Sequence, residues 1–110
     1  MYDGCTEHNK RVRDRIPEII RKEGKEADSI ILDDKQYLFE LKAKLIEEVT
    51  EVSLSKNREE VVSELADVRE GMDALMQVYE ISPMEVSTIQ VLKAIKRGKF
   101  EKKINLKEVK

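Results

Sequence analysis

The chain has 110 residues, which is the length of one domain with a single hydrophobic core. Charged residues make up 40% of it, but 21 basic and 23 acidic side chains leave a formal net charge of only −2, and this balance disfavours nucleic acid as a partner. No apolar run approaches the ~18 residues that a membrane span needs, so no membrane partner is expected either.

The beginning of the chain and its cysteine content favour a cytoplasmic location. Polar and acidic residues follow Met1, where a signal peptide would have a basic and then an apolar stretch. Cys5 is the only cysteine, so no disulfide forms within the chain, which suits a reducing compartment. Cys5 and His8 have the spacing of half a zinc site, but no second pair of ligands completes it.

The first half of the chain is predicted to hold a short helix and then a long one. Pro17 opens the short helix, because its restricted φ suits the first helical position, and Gly24 follows the end of that helix. Asp33 then caps a helix over roughly residues 35–55. The apolar face of this long helix consists of Leu38, Leu41, Leu45, Val49 and Val52.

The second half repeats this pattern in the opposite order. Asn57 caps a second long helix over roughly residues 58–80. Ser82 and Pro83 start a shorter helix that runs to about Arg97 and is followed by Gly98. The apolar face of the second long helix consists of Val61, Leu65, Val68, Met72, Leu75 and Tyr79.

These elements predict an all-α fold, a helical bundle of two long and two shorter helices in a single domain over residues 1–110. Residues 1–8 are expected to be mobile, and residues 101–110 to form an extended tail. Two long helices do not bury apolar faces of this width by themselves. We therefore expect a second subunit to complete the bundle.

Four acidic side chains lie along one edge of these apolar faces. Glu48 and Glu51 are an i,i+3 pair on the first long helix, and Glu64 and Asp67 are such a pair on the second. At about 100° per residue, both pairs fall on the same side of their apolar arcs, so antiparallel packing brings the two pairs together. Carboxylates that converge need a counter-charge.

Oxygen ligands on helices suit Mg²⁺ or Mn²⁺ rather than Zn²⁺. Magnesium held by a few carboxylates leaves positions open for water and for substrate phosphates, which predicts a phosphate ester or phosphoanhydride as substrate. The spacing by itself is also that of an ordinary solvated helix face, which is the commoner role of charged residues on a helix.

Four stretches in chain order resemble one known superfamily. The motif Glu47-Glu48-x-x-Glu51, followed after twelve residues by Glu64-x-x-Asp67, resembles the metal motif of the MazG-type all-α nucleotide pyrophosphohydrolases. This superfamily includes phosphoribosyl-ATP pyrophosphohydrolase. Three further stretches resemble a small single-domain branch of it, namely residues 9–20, which begin Asn-Lys-Arg-Val-Arg-Asp, residues 64–68, and residues 96–106.

This resemblance implies an α-helical bundle that forms a homodimer or a homotetramer. It also implies Mg²⁺-dependent hydrolysis of a nucleoside triphosphate between its α- and β-phosphates, with Mn²⁺ as a second usable metal. Clearance of unwanted nucleotides from the pool is the implied purpose. Two alternatives remain open: a phosphoribosyl-ATP pyrophosphohydrolase, and a non-catalytic helical interaction module.

The resemblance assigns roles to individual residues as well. The metal ligands it implies are Glu48, Glu51, Glu64 and Asp67. Glu47 is the candidate catalytic residue, which either holds a second metal ion or orients and deprotonates the attacking water. The predicted substrate-binding residues are Lys10, Arg13, Asp14, Lys44, Lys96 and Arg97.

Lys44 and Gly71 each allow two interpretations. Lys44 lies one turn before Glu48, so it either reaches a phosphate group or forms an ion pair with Glu48. Gly71 lies on the acidic side of the second long helix, where glycine costs up to ~1 kcal/mol relative to alanine. It is expected to allow close approach either of another helix or of the nucleotide base.

Overall fold

The computed structural model describes residues 12–110, and all the regular structure in this part of the chain is helical. The four helices are α1 (Ile16–Lys22), α2 (Asp34–Leu54), α3 (Arg58–Val78) and α4 (Pro83–Arg97). No residue from 12 to 110 lies in a strand. The predicted all-α class is confirmed for these residues, while the mobility expected of residues 1–8 concerns a part of the chain outside them.

The long helices begin where the capping residues predict. The side chains of Asp33 and Asn57 each accept a hydrogen bond from the backbone N–H three residues further on, at 2.8 and 2.9 Å. Ser82 and Glu85 form a complete capping box, in which each side chain accepts a hydrogen bond from the other residue's backbone N–H. The predicted bounds of α2, α3 and α4 are correct to within two residues.

Two glycines mark the ends of the shorter helices. Gly24 and Gly98 have φ angles of +82° and +81°, a conformation that glycine adopts without the steric cost of a Cβ atom. Gly24 lies two residues beyond α1, and Gly98 directly follows α4. Beyond Gly98 the chain makes one turn and otherwise forms no helix or strand up to Lys110.

The chain divides into two compact units between Leu75 and Met76, inside α3. The first unit contains an antiparallel hairpin of α2 and α3, which residues 55–57 connect. The hairpin is tightly packed at Gly71, where a Cβ atom would lie 3.1 Å from Cδ1 of Leu45. Gly71 therefore allows α2 to approach α3 closely. Of its two expected roles, the structure shows the close approach of another helix.

The half-buried side of α3 includes acidic residues as well as apolar ones. Glu64 and Gly71 are half-buried, whereas Leu65 and Met72, from the predicted apolar face, are exposed. Val61, Val68 and Leu75 of the predicted face are also half-buried, so the contact uses part of that face and extends towards Glu64. Gly71, which has no side chain, lies on that side of α3 and packs against Leu45.

The first unit has a very small core and leaves apolar side chains uncovered. Leu41, at 4% exposure, is the only buried residue among residues 12–110. Phe39 and Ile46 on α2 are 71% and 70% exposed, and Val49 is also exposed. An apolar surface of this kind on a helical hairpin usually has a partner.

The second unit consists of the last residues of α3, helix α4 and the residues that follow it. The large apolar side chains of α4 are exposed, among them Met84 and Ile95. None of the helices described between residues 12 and 110 is long and apolar enough to cross a membrane.

Candidate metal centre

Three carboxylates meet on one side of the α2–α3 hairpin. Each of Glu48, Glu64 and Asp67 offers an oxygen atom that lies within 4.8 Å of the oxygens of the other two, and all three residues are half-buried. Glu48 comes from α2, and the other two come from consecutive turns of α3. The antiparallel hairpin thus brings together three of the four acids that the sequence places on one edge.

The electrostatics of this acidic cluster (Glu48, Glu64 and Asp67) are least favourable at Glu64. Partial burial raises the pKa of the Glu64 carboxyl, and the negative charges of its neighbours raise it further. The contributing neighbours, in decreasing order, are Asp67, Glu48, Glu51 and Glu60. A cation placed between the carboxylates would remove this repulsion.

Lys44 supplies one positive charge to the cluster. Its ammonium nitrogen lies 2.9 Å from Oε1 of Glu48 and 3.4 Å from Oε1 of Glu47. Burial lowers the pKa of Lys44, but the hydrogen bond and the charge of Glu48, together with those of Glu47, outweigh burial and raise it. Of the two interpretations of Lys44, the structure shows the ion pair with Glu48.

Arg13 supplies a second positive charge from a distant part of the sequence. Its Nη2 atom donates a hydrogen bond of 2.7 Å to Oδ1 of Asp67, which is 54 residues away in the chain. Arg13 lies just before α1, so this contact connects the entry to α1 with α3.

Glu64 differs from the other two acids of the cluster. Glu48 has Lys44 as its partner and Asp67 has Arg13, whereas no lysine or arginine nitrogen of residues 12–110 lies within 4.0 Å of the Glu64 carboxylate. Among residues 12–110, the three carboxylates of the cluster therefore have two cationic partners, and neither of these is paired with Glu64.

The remaining acids of the predicted site lie outside this cluster. Glu51 is exposed and does not belong to the three carboxylates that meet, although its charge contributes to the raised pKa of Glu64. Glu47 is exposed and pairs with Lys44 at 3.4 Å. Asp14 is exposed as well. The metal-binding, catalytic and substrate-binding roles assigned to these three residues stay predictions.

The other predicted phosphate-binding residues are Lys10, Lys96 and Arg97. Lys10 is outside the described residues. Lys96 and Arg97 lie in the last turn of α4, which belongs to the second unit. Their roles in substrate binding therefore stay predictions.

Glu60 is an acid near the site that the motif does not include. Its charge contributes to the raised pKa of Glu64, and its carboxylate accepts a 2.7 Å hydrogen bond from the backbone N–H of Lys56. Its position four residues before Glu64 on α3, one helical turn away, is the sequence signal that identifies it.

The donor set of the cluster fits a hard divalent cation. Three carboxylates held by two packed helices are ligands of the type that Mg²⁺, Mn²⁺ and Ca²⁺ accept in proteins.

The chain matches no protein-family model, no curated protein and no solved structure. Residues 12–110 form a helical structure with an acidic cluster whose carboxylates could hold a metal ion.

Proposed function

We propose that this protein hydrolyses a nucleoside triphosphate between its α- and β-phosphates, with Mg²⁺ as the metal. The observation that carries the proposal is the convergence of Glu48, Glu64 and Asp67 beside two basic side chains, Lys44 and Arg13. A metal–triphosphate complex needs both kinds of group, because the carboxylates hold the cation and the bases balance the remaining phosphate charge. The sequence resemblance supports the choice of reaction.

This arrangement suggests a role for each side chain of the site. Glu48, Glu64 and Asp67 would hold the metal, and Glu51, one turn beyond Glu48, is the fourth predicted ligand. When bound, the metal would supply positive charge at the phosphate oxygens and lower the pKa of a water molecule.

The other side chains act on the substrate and the water. Lys44 and Arg13 bind phosphate oxygens by charge-assisted hydrogen bonds. Glu47 is exposed beside Lys44, where its carboxylate accepts the proton of the attacking water. The products are a nucleoside monophosphate and pyrophosphate.

We also propose that the active form is a homodimer or a homotetramer. The support is the apolar surface of the hairpin, which includes Phe39, Ile46 and Val49. At about 100° per residue these side chains lie on one side of Leu41, and Glu48 lies on the other. A second copy can therefore cover the apolar surface and leave the acidic cluster open to substrate.

The deciding experiment measures pyrophosphate release from canonical and modified nucleoside triphosphates and from phosphoribosyl-ATP, in Mg²⁺ and in EDTA. We expect metal-dependent release that Glu64→Gln reduces by more than about 100-fold, since loss of even an outer-shell partner of a metal typically costs 10–100-fold. Glu64→Gln preserves the size of the side chain and breaks no ion pair within residues 12–110. Glu70→Gln, an exposed change on the same helix, is the matched control and should keep full activity.

Other results would select the alternatives. Release from phosphoribosyl-ATP alone would identify the phosphoribosyl-ATP pyrophosphohydrolase. Binding of Mg²⁺ by the folded protein without cleavage of any of these compounds would contradict the proposed reaction and favour a helical interaction module.

A further inference from the structure

The two basic side chains that pair with the acidic cluster, Lys44 and Arg13, differ in position and in exposure to solvent. Lys44 and Glu48 are one turn apart on the same helix, and their side chains are only 27% and 12% exposed. Arg13 and Asp67 come from different segments, and their side chains are 59% and 38% exposed. The Arg13–Asp67 pair is therefore the more solvated of the two, and ion pairs with this exposure are weak.

We infer that Arg13 is a displaceable counter-cation, which occupies Asp67 until a divalent cation enters the cluster and takes its place. The inference rests on the proposed metal site. It assigns Arg13 two successive partners, the Asp67 carboxylate without metal and a phosphate group of the substrate with metal.

Charge balance supports this exchange. Without a metal, three carboxylates face two cations, and Glu64 has no cationic partner among the described residues. With a divalent cation in the cluster and Arg13 still on Asp67, two cations would share the Asp67 carboxylate. The guanidinium and the metal also compete for the same carboxylate, because Oδ1 of Asp67 already accepts the Arg13 hydrogen bond at 2.7 Å.

Geometry indicates which cation leaves. Lys44 lies on α2 next to both Glu47 and Glu48, so it keeps a carboxylate partner when the metal binds Glu48. Arg13 has its side chain mostly in solvent and lies outside the hairpin, so it can move without any change in the packing of α2 on α3. Its planar guanidinium binds phosphate oxygens as well as it binds a carboxylate.

The experiment measures the affinity of the full chain for Mg²⁺ alone, by calorimetric titration at low salt. We expect Arg13→Gln to bind Mg²⁺ about 1.5- to 5-fold more tightly than the wild type, which is the range that corresponds to an exposed ion pair. Arg15→Gln is the matched control. It removes the same charge only two residues further along the chain, but Arg15 pairs with Glu18 and not with the acidic cluster. This control should leave the affinity nearly unchanged.

A second measurement on the wild type does not depend on any variant's folding. The Nε–H resonance of Arg13 should shift during titration with Mg²⁺ in a nuclear magnetic resonance experiment, while that of Arg15 stays in place. A purely structural Arg13–Asp67 bridge predicts a stationary Arg13 resonance and an Arg13→Gln variant whose Mg²⁺ affinity is unchanged or weaker. Either of these results would overturn the inference.

The outcomes also separate this inference from the proposed function. If the wild type binds Mg²⁺ but Arg13→Gln binds it equally well, the inference is overturned and the proposed function stands. If Arg13→Gln binds more tightly and no nucleotide is cleaved, the proposed reaction falls, and the displacement of Arg13 from Asp67 by the metal stands. If the folded wild type binds no divalent cation, both are overturned.

Discussion

Glu64 is the residue at which the folded protein accepts an unfavourable charge. A carboxylate oxygen of Glu64 lies within 4.8 Å of oxygens of Asp67 and Glu48, and partial burial together with these charges raises the pKa of its carboxyl. In the unfolded chain the same carboxyl ionises near its ordinary value of about 4.3. A residue in this position lowers stability at neutral pH, and binding of a cation would compensate for the loss.

Stability of the metal-free protein should therefore depend on pH through Glu64. Because its pKa is higher in the folded state, the stability it contributes is fully present below its ordinary pKa and is lost as pH rises through the raised value. We expect Glu64→Gln to be more stable than the wild type at pH 7 in EDTA, and this advantage to shrink as pH falls towards 4. Urea unfolding over this pH range measures the difference.

The control for this prediction is Glu70→Gln, because Glu70 is an exposed glutamate on the same helix. Its stability relative to the wild type should show no such pH dependence. Saturating Mg²⁺ should reverse the order of Glu64→Gln and wild type, since a ligand that binds only the folded state stabilises it. A Glu64→Gln variant that is less stable than the wild type by the same amount at every pH would contradict this account of Glu64.

At the level of the elements, the α2–α3 hairpin depends on close packing at one position. Gly71 meets Leu45 across the hairpin, and the acidic cluster lies on adjacent turns of the same two helices. The spacing of α2 and α3 at Gly71 therefore also sets the separation of Glu48 from Glu64 and Asp67.

Two substitutions at Gly71 should distinguish the effect of helix propensity on stability from the effect of the spacing between α2 and α3. A Cβ atom would lie 3.1 Å from Cδ1 of Leu45, which is the end of a flexible side chain and can move by a few tenths of an ångström. We expect Gly71→Ala to raise the free energy of unfolding by up to ~1 kcal/mol, because alanine favours the helix. Gly71→Leu should lower it and weaken Mg²⁺ binding, because a large side chain separates the helices.

Urea denaturation and metal titration check both variants. Ala66→Gly, at an exposed position of the same helix, is the matched control and should lose about the amount that Gly71→Ala gains. Tighter Mg²⁺ binding by Gly71→Leu would show that the hairpin spacing does not set the metal site.

For the whole molecule, the small core is the main structural problem. Leu41 is the only buried residue in the described part of the chain, and large apolar side chains such as Phe39 and Ile46 remain open to solvent. Burial of apolar surface is the dominant favourable contribution to folding, and a chain that buries so little by itself has little net stability. Association through the apolar surface of the hairpin would supply the missing burial.

A charge placed on this surface should therefore break the assembly. We expect the wild type to sediment as a dimer or a tetramer and Ile46→Glu to sediment as a monomer with reduced helical content, because a buried unpaired carboxylate is costly. Ser63→Glu introduces the same charge at an exposed position of α3, away from this apolar surface, and should leave the assembly intact. A monomeric wild type that unfolds cooperatively would contradict the proposed oligomer.

The local parts of the structure were predictable from the sequence because their interactions are local. Asp33, Asn57 and Ser82 cap their helices through hydrogen bonds to residues only three positions away, so the sequence itself contains both partners. The all-α class and the helix bounds follow from such contacts and from the apolar periodicity. The i,i+3 spacing of Glu64 and Asp67 likewise placed them on one side of a helix before any packing was known.

The tertiary structure alone decided which of these predicted neighbours meet. The apolar faces of α2 and α3 are wider than the contact between them, so periodicity does not determine which part of each face is used. Packing at Gly71 brings Glu48 to Glu64 and Asp67, and it leaves Glu51 outside the cluster. The pairing of Arg13 with Asp67 spans 54 residues, and no local interaction specifies a contact at that distance along the chain.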